Sequence, residues 1–345
     1  MSGPVRAHQL CSRARELGPY LADRLGGDAQ VSAARLAGEG MSANTLLLDL
    51  SDGRELVLRA RGPKMGSSTI ADSDEPQFRV LRAVAEQDVP APPALFFEPD
   101  PDVLGAPFLA MERLPGKAIV PWSRDGRAFL AEVGRGRAGE QFMDYLVAIH
   151  RVPPDHPELA KVFPVPSPGT AVAQAALDRA SEVLDRCAWG PDPVFADALG
   201  WLRAHLPECA SPGLVHGDYR AGNLLFSGEQ ISGVLDWEFA HLGDPARDLA
   251  WLMAKSNRVG DDLACDMIPL DEVLERYRAA GGVEIDPAAV AFWNVFWLVE
   301  NGVIWLTSTE ALRAGELADV RITKWSYSLP TIRLMVLDAL EEAGI

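Results

Sequence analysis

The sequence predicts an α+β fold in two lobes, a small N-terminal mixed β-sheet lobe and a larger, mainly helical C-terminal lobe. Three observations predict it. Strand-like alternation between tight turns dominates residues 31–113, and helical spacing dominates from residue 138 onward. Between them Leu114-Pro115-Gly116 breaks the pattern, which places the lobe boundary between 1–114 and 115–345. A length of 345 residues suits two lobes sharing a cleft better than one small domain.

Each element follows from local pattern. Residues 8–25 read as one amphipathic helix ending at Gly26-Gly27. Residues 31–38 and 44–50 alternate like strands around Gly38-Glu39-Gly40-Met41-Ser42-Ala43-Asn44. A turn here would let Gly40, Ser42 and Asn44 lay backbone N–H groups over phosphates, since glycine permits close approach. A plain hairpin turn is the competing reading. Asp52-Gly53 is a tight turn, and Glu55 to Arg59 the next strand. Phe78, Leu81 and Val84 space a helix over 76–85. A Pro-rich exit over 87–93 leads to strands at 94–98 and 107–113. Beyond the boundary, 138–150 is a helix, 151–169 an ordered Pro-rich loop, and 170–206 mainly helical with a break at Trp189-Gly190-Pro191. Residues 246–343 are helical, interrupted at Gly281-Gly282 and Asp286-Pro287.

Composition is globular, with 48% hydrophobic and 23% charged residues, so a substantial core can form. The net charge of −17 disfavours nucleic acid and anionic membranes as partners, because both would repel the chain. Any phosphate must then be held by local groups. Cys11, Cys187, Cys209 and Cys265 are far apart and lack metal-ligand spacing. The N-terminus has no apolar stretch of signal-peptide length. No run approaches eighteen apolar residues, so no membrane span is expected, and cytoplasmic residence is. No internal repeat is evident. Monomer and homodimer both remain open.

The most informative stretch is His216-Gly217-Asp218-Tyr219-Arg220-Ala221-Gly222-Asn223 followed by Val234-Leu235-Asp236-Trp237-Glu238. Leu224 to Phe226 reads as a strand, Ser227 to Gln230 as a turn, and Ile231 to Leu235 as the returning strand. That hairpin would bring Asn223 and Asp236 side by side at its open end, with Asp218 on the loop just before. Two converging oxygen ligands there suit Mg²⁺, a hard cation that also takes phosphate oxygens. An Asp, an Asn and a second Asp in this order are the layout of a phosphoryl-transfer site.

These residues, with Gly243-Asp244-Pro245-Ala246-Arg247-Asp248-Leu249-Ala250, resemble the aminoglycoside phosphotransferase and choline kinase-like superfamily. The narrower resemblance is to the branch whose domains also occur fused to some acyl-CoA dehydrogenases. It runs over nearly the whole chain. It implies a bilobal protein-kinase-like fold and transfer of the γ-phosphoryl group of ATP, or GTP in some members, to a small-molecule hydroxyl. By that resemblance Asp218 is the catalytic base, and Asn223 and Asp236 hold Mg²⁺. Asp248 would be structural, tying the catalytic loop to the following helix. His216 is expected to hydrogen-bond the loop's backbone rather than shuttle protons.

The resemblance also implies a nucleotide site. Arg59, on strand Leu56-Val57-Leu58-Arg59, occupies the position of the phosphate-contacting base, and Arg61 and Lys64 are alternatives. Its usual acidic partner falls at Gln77, while Glu75 lies about 200° further round an ideal helix. Backbone of Glu112 and Leu114 is positioned for the adenine edge. For the acceptor, Phe292, Trp293, Phe296, Trp297, Trp305 and Trp325 offer an aromatic wall suited to an apolar or cationic alcohol; a plain core role competes. An antibiotic-inactivating phosphotransferase, for aminoglycosides or macrolides, and a nucleotide-binding pseudokinase are the alternatives to a general small-molecule kinase.

Overall fold

The computed structural model describes residues 7–27, 29–39, 43–61, 73–186, 192–258, 260, 262–315 and 323–344. The expected N-terminal helix is two helices, α1 (Ala7–Arg15) and α2 (Gly18–Leu25). Pro19 has no N–H to continue the first and instead starts the second.

Strands β1 (Val31–Glu39), β2 (Ala43–Leu50) and β3 (Glu55–Arg61) follow, then α3 (Glu75–Val84), β4 (Ala94–Glu98), α4 (Pro101–Leu104) and β5 (Phe108–Glu112). They form one five-stranded sheet of order β1-β2-β3-β5-β4. Every pairing in it is antiparallel, not mixed. Period-2 alternation splits its faces. Leu46, Leu48, Leu58 and Phe108 pack against Leu10 and Leu21 of the N-terminal helices. Thr45, Leu47, Val57, Arg59 and Met111 point the other way, into an interlobe cleft.

The chain crosses at Arg113 to Gly116 into β6 (Lys117–Ala118), α5 (Arg124–Val133) and α6 (Arg137–His150). Helix α5 was not expected, although Ser123 caps it by accepting a bond from the Gly126 N–H at 3.0 Å. Residues 151–169 hold a single 3₁₀ turn at Leu159–Lys161. Helices α7 (Ala171–Arg186) and α8 (Pro193–Ala204) come next, then β7 (Gly213–Val215), β8 (Leu224–Ser227), β9 (Gln230–Val234) and β10 (His241–Gly243). The remainder is α9 (Ala246–Met253), a small unexpected hairpin of β11 (Leu263–Ala264) and β12 (Ile268–Pro269), α10 (Val273–Ala279), α11 (Pro287–Arg313) and α12 (Thr323–Glu342).

Two cores hold this lobe. One lies under the β8–β9 hairpin, around Phe142, Leu146, Tyr219, Trp237 and Tyr277. The other joins α7, α8, α11 and α12 around Phe195, Phe292, Trp293 and Phe296. Helix α11 is long and apolar enough to cross a membrane by length and composition, although Asn294, Glu300 and Asn301 leave it no unbroken run of eighteen apolar residues. Its apolar side chains face α8, α9 and α12, which accounts for their hydrophobicity as core.

Candidate active site

The site is built on two short strands and two tight loops. Val215 of β7 pairs with His241 of β10, so the loop leaving β7 lies beside the segment entering β10. The loop is pinned from below by Asp248 of α9. Its carboxylate accepts bonds from the His216 N–H at 2.7 Å and the Gly217 N–H at 2.8 Å. His150 Nε2 approaches it at 3.1 Å, and His150 Nδ1 lies 2.8 Å from the Tyr277 hydroxyl. Asp248 is fully buried; burial alone would raise its pKa, yet the bonds from His150 and His216 outweigh it and the net direction is down.

Gly217 adopts φ +80°, and a Cβ there would stand 2.5 Å from the Phe239 carbonyl oxygen. This position therefore needs glycine. His216 is sealed in: Nε2 donates to the Leu235 carbonyl at 3.1 Å, and Nδ1 accepts from the Asp218 N–H at 3.2 Å. Burial lowers its pKa. Both ring nitrogens are spent on backbone, as expected.

The hairpin brings the predicted groups together. Leu224 pairs with Val234, and the Leu235 N–H donates to the Asn223 carbonyl at 2.8 Å. Ile231 is anchored to α6 through the Gln141 side chain at 3.0 Å. Asn223 Nδ2 donates both to the Asp218 carbonyl at 2.9 Å and to Asp218 Oδ2 at 2.6 Å. With both N–H groups turned to Asp218, Oδ1 is the atom of Asn223 left to face a cation. Asp236 takes a left-handed φ of +66°, uncommon for a non-glycine residue and typical of functional turns.

Arg59 crosses from the β-sheet lobe to this point. Its guanidinium donates to Asp236 Oδ1 at 2.8 Å and to Glu238 Oε2 at 2.5 Å. Burial alone would lower its pKa, but the two carboxylates raise it. The acidic partner is thus Glu238, together with Asp236, and neither Gln77 nor Glu75. Glu75 is occupied one turn along α3 by Arg79 at 3.0 Å. Gln77 is 5% exposed, and its Oε1 has no hydrogen-bond partner among the described residues.

Sequence reasoning missed two residues that hold Asp218. Arg220 Nε donates to Asp218 Oδ1 at 2.8 Å, and Trp251 Nε1 donates to the same oxygen at 2.9 Å. A basic residue two positions after the Asp, in an acidic chain, was a usable signal for Arg220. Trp251, 33 positions away on α9, left none. Desolvation raises the Asp218 pKa; Arg220 pulls it back and Asp236 pushes it further up. In the role of base that the sequence implies, Asp218 must be ionised, and activity is then expected to fall as pH drops through a value above the ordinary Asp range. Arg220→Gln removes a lowering influence and should move that acid limb to higher pH. An unmoved limb in a pH–rate profile would refute the coupling.

The cleft beside these groups has a volume of about 390 Å³. Arg59, Met111, Glu112, Leu114, Asn223 and Asp236 line it. The Glu112 N–H is committed to the Pro93 carbonyl at 3.0 Å, whereas among the described residues the Leu114 N–H carries no main-chain bond. The side chain of Asn44 shares the parity of Leu46 and Leu48, on the far face of β2, and the side chains of that strand that reach the cleft are those of Thr45 and Leu47. Gly40 and Ser42 lie outside the described residues.

Residues 33–293 match the model of the phosphotransferase enzyme family, well over half of the chain. The chain belongs to this family. Among curated relatives, mouse acyl-CoA dehydrogenase family member 10 is 33% identical over 220 residues, covering 61% of this chain. The matched segment is 19% of the mouse protein, so the chain spans only a small part of that relative's length. Among solved structures, one described as a putative aminoglycoside phosphotransferase from Ralstonia eutropha JMP134 superposes with a TM-score of 0.70 at 19% identity, covering 95% of this chain and 98% of that one. The GDP complex of aminoglycoside 2′-phosphotransferase-IIIa superposes with a TM-score of 0.63 at 17% identity, covering 92% and 98%. At these identities the likeness establishes the fold.

In this phosphotransferase the expected aromatic wall is mostly core. Phe292, Trp293 and Phe296 are at most 1% exposed. Their helical spacing faces α8 and α9, and Trp293 Nε1 is spent on Asp244 at 2.8 Å. Trp305 packs against the same core. Trp297 differs, because its ring lies 3.9 Å from that of Trp251 and so one step from Asp218. The side chain of Trp325 lies outside the described residues.

Proposed function

We propose that this phosphotransferase moves the γ-phosphoryl group of ATP onto a hydroxyl of a small molecule. The observation that carries the reading is the meeting of Asp218, Asn223 and Asp236 with Arg59 at the edge of the interlobe cleft. Asp218 takes the proton of the attacking hydroxyl. Its raised pKa makes it a stronger base than an exposed carboxylate, and Arg220 and Trp251 fix its direction. Arg59 carries a planar fork suited to phosphate oxygens. Leu114 offers its N–H to the adenine edge.

The donor set fits Mg²⁺. Asn223 Oδ1 and the Asp236 carboxylate are hard oxygen ligands on the cleft wall, few enough to leave sites for phosphate oxygens and water. When bound, the ion would offset phosphate charge, which a chain of net charge −17 does not offset by its overall field. Nucleotide binding by this fold is supported by the GDP held by aminoglycoside 2′-phosphotransferase-IIIa. A cytoplasmic setting goes with a need for ATP.

Calorimetric titration with ATP tests the nucleotide half of the reading. Affinity should depend on Mg²⁺, and Asn223→Ala and Asp236→Ala should each weaken Mg²⁺-dependent binding by at least about tenfold. Binding indifferent to Mg²⁺ and to both substitutions would sink it. The transfer half is tested by ADP release and by the mass gain of one phosphate on an alcohol.

A further inference from the structure

The two side chains that hold Asp218 differ in what they have left to give. Trp251 has one N–H, and Asp218 takes it. Arg220 has five, of which Asp218 Oδ1 takes only the one on Nε, at 2.8 Å. Nη1 and Nη2 of Arg220 carry no hydrogen bond among the described residues. Gly222 makes the seat for this guanidinium. A Cβ at Gly222 would stand 2.7 Å from Nη1, and Pro121 lies 3.6 Å from the same point. The bare main chain and the Pro121 ring therefore hold Nη1 in place by shape alone, with no acceptor engaged.

Two spaces meet at that seat. Gly222 lines the 390 Å³ cleft together with Asn223 and Asp236. Gly222 and Arg220 also line a smaller opening of about 130 Å³, walled by Trp122 and Asn257. Arg220 is not on the wall of the nucleotide cleft itself. A nucleotide resting in the cleft meets Arg59, Asn223 and Asp236 first. A phosphoryl group in transit is different, because it must approach a hydroxyl held by Asp218. Base to hydroxyl and hydroxyl to phosphorus are each about 3 Å in a reactive geometry. The guanidinium, 2.8 Å from the same carboxylate, then has the phosphoryl oxygens within reach of its free nitrogens.

The charge on Arg220 changes partners as the reaction proceeds. Before transfer Asp218 neutralises it. Burial would lower its pKa, but Asp218 and Asp236 outweigh burial, so the guanidinium stays charged. During transfer the acceptor O–H proton passes to Asp218. The acceptor oxygen bonds to the γ-phosphorus, the bond from that phosphorus to the β,γ-bridging oxygen breaks, and ADP leaves with the electron pair. Asp218 becomes neutral in this step. Arg220 then loses its counter-charge just as the equatorial phosphoryl oxygens need a cation. An interaction that strengthens only at that point speeds the step, whereas one present throughout does not.

We propose that Arg220 is a second catalytic residue, whose Nη1 and Nη2 grip the oxygens of the phosphoryl group in transit while Asp218 takes up the proton. The assignment rests on the phosphoryl-transfer reading of Asp218. It goes beyond the orienting bond from Nε, which uses one end of the guanidinium only.

Aluminium fluoride, bound together with ADP, mimics the phosphoryl group in transit and serves as the probe. The full chain is titrated with ADP and Mg²⁺, with and without the fluoride. The fluoride should tighten ADP binding in the unaltered protein. Arg220→Gln should remove about tenfold or more of that gain. Its affinity for ADP alone should stay unchanged, which also reports that the variant is folded. Arg220→Lys keeps the charge without the fork and should retain part of the gain. Repeating Arg220→Gln in an Asp218→Ala background separates contact from orientation. Direct contact predicts that the fluoride complex weakens there too, whereas a role exerted through Asp218 predicts no further loss. A gain that survives Arg220→Gln, a loss that vanishes in the Asp218→Ala background, or no gain from fluoride in the unaltered protein would overturn the assignment. Failure of the phosphoryl-transfer reading would show separately, as absence of Mg²⁺-dependent ATP binding in the unaltered protein.

Discussion

Asp218→Ala is expected to lower turnover by about 10²–10⁴-fold, the usual contribution of a positioned general base. Nucleotide affinity should persist, because Asp218 is not on the wall of the 390 Å³ cleft; Asn223, Asp236 and Arg59 are. Asn223 would lose its 2.6 Å bond to the carboxylate but keep its 2.9 Å bond to the Asp218 carbonyl, so the hairpin mouth should hold its shape. Asp218→Asn tests the proton role more narrowly. It keeps the size of the side chain, but its amide cannot accept a proton and sets an N–H against donors from Arg220, Trp251 or Asn223. Both variants should bind ATP and fail in transfer. Turnover near the unaltered level in either would remove Asp218 from the mechanism.

The second large effect belongs to a residue that touches no substrate. Asp248→Ala is expected to destabilise the fold by about 3–5 kcal/mol, the range for removing one partner from a buried charged network. Three groups lose their acceptor at once: the His216 N–H, the Gly217 N–H and His150. Water cannot replace a carboxylate that is fully buried. Asp248→Asn should also destabilise, since its amide N–H₂ would meet one of these donors. The pH dependence follows from the depressed pKa. The carboxylate's contribution is present above the unfolded value of about 3.8, and it is lost as pH falls through the lower folded value. Urea denaturation reads both effects. A midpoint shared with the unaltered protein would show that Asp248 does not hold the loop.

The β8–β9 hairpin was legible because its information is local. Strand length, the Ser227-Gly228 turn and the two flanking polar residues all lie within about 20 consecutive positions, and pairing register follows from turn length. The sheet was legible for the same reason, from alternation broken by Gly53. The split of the first helix was also written locally, at Gly18-Pro19, although the periodicity on either side obscured it. The role of the α11 aromatics was not legible. A stripe at helical spacing shows that one face is covered but not by what, so Trp293 in the core and Trp297 beside Trp251 look alike in sequence.

By itself the sequence determined the class of fold, the strands of the sheet, the β8–β9 hairpin, and the Asp218, Asn223 and Asp236 set at its mouth. Only the tertiary structure decided which charges meet. Arg59 reaches Asp236 and Glu238 across 177 and 179 positions, Trp251 reaches Asp218 across 33, and Arg179 makes no ion pair among the described residues. The physical reason is range. Propensity, turn chemistry and strand alternation act between neighbours in the chain, whereas an ion pair or a buried hydrogen bond depends on distance in space, which packing of the two cores sets.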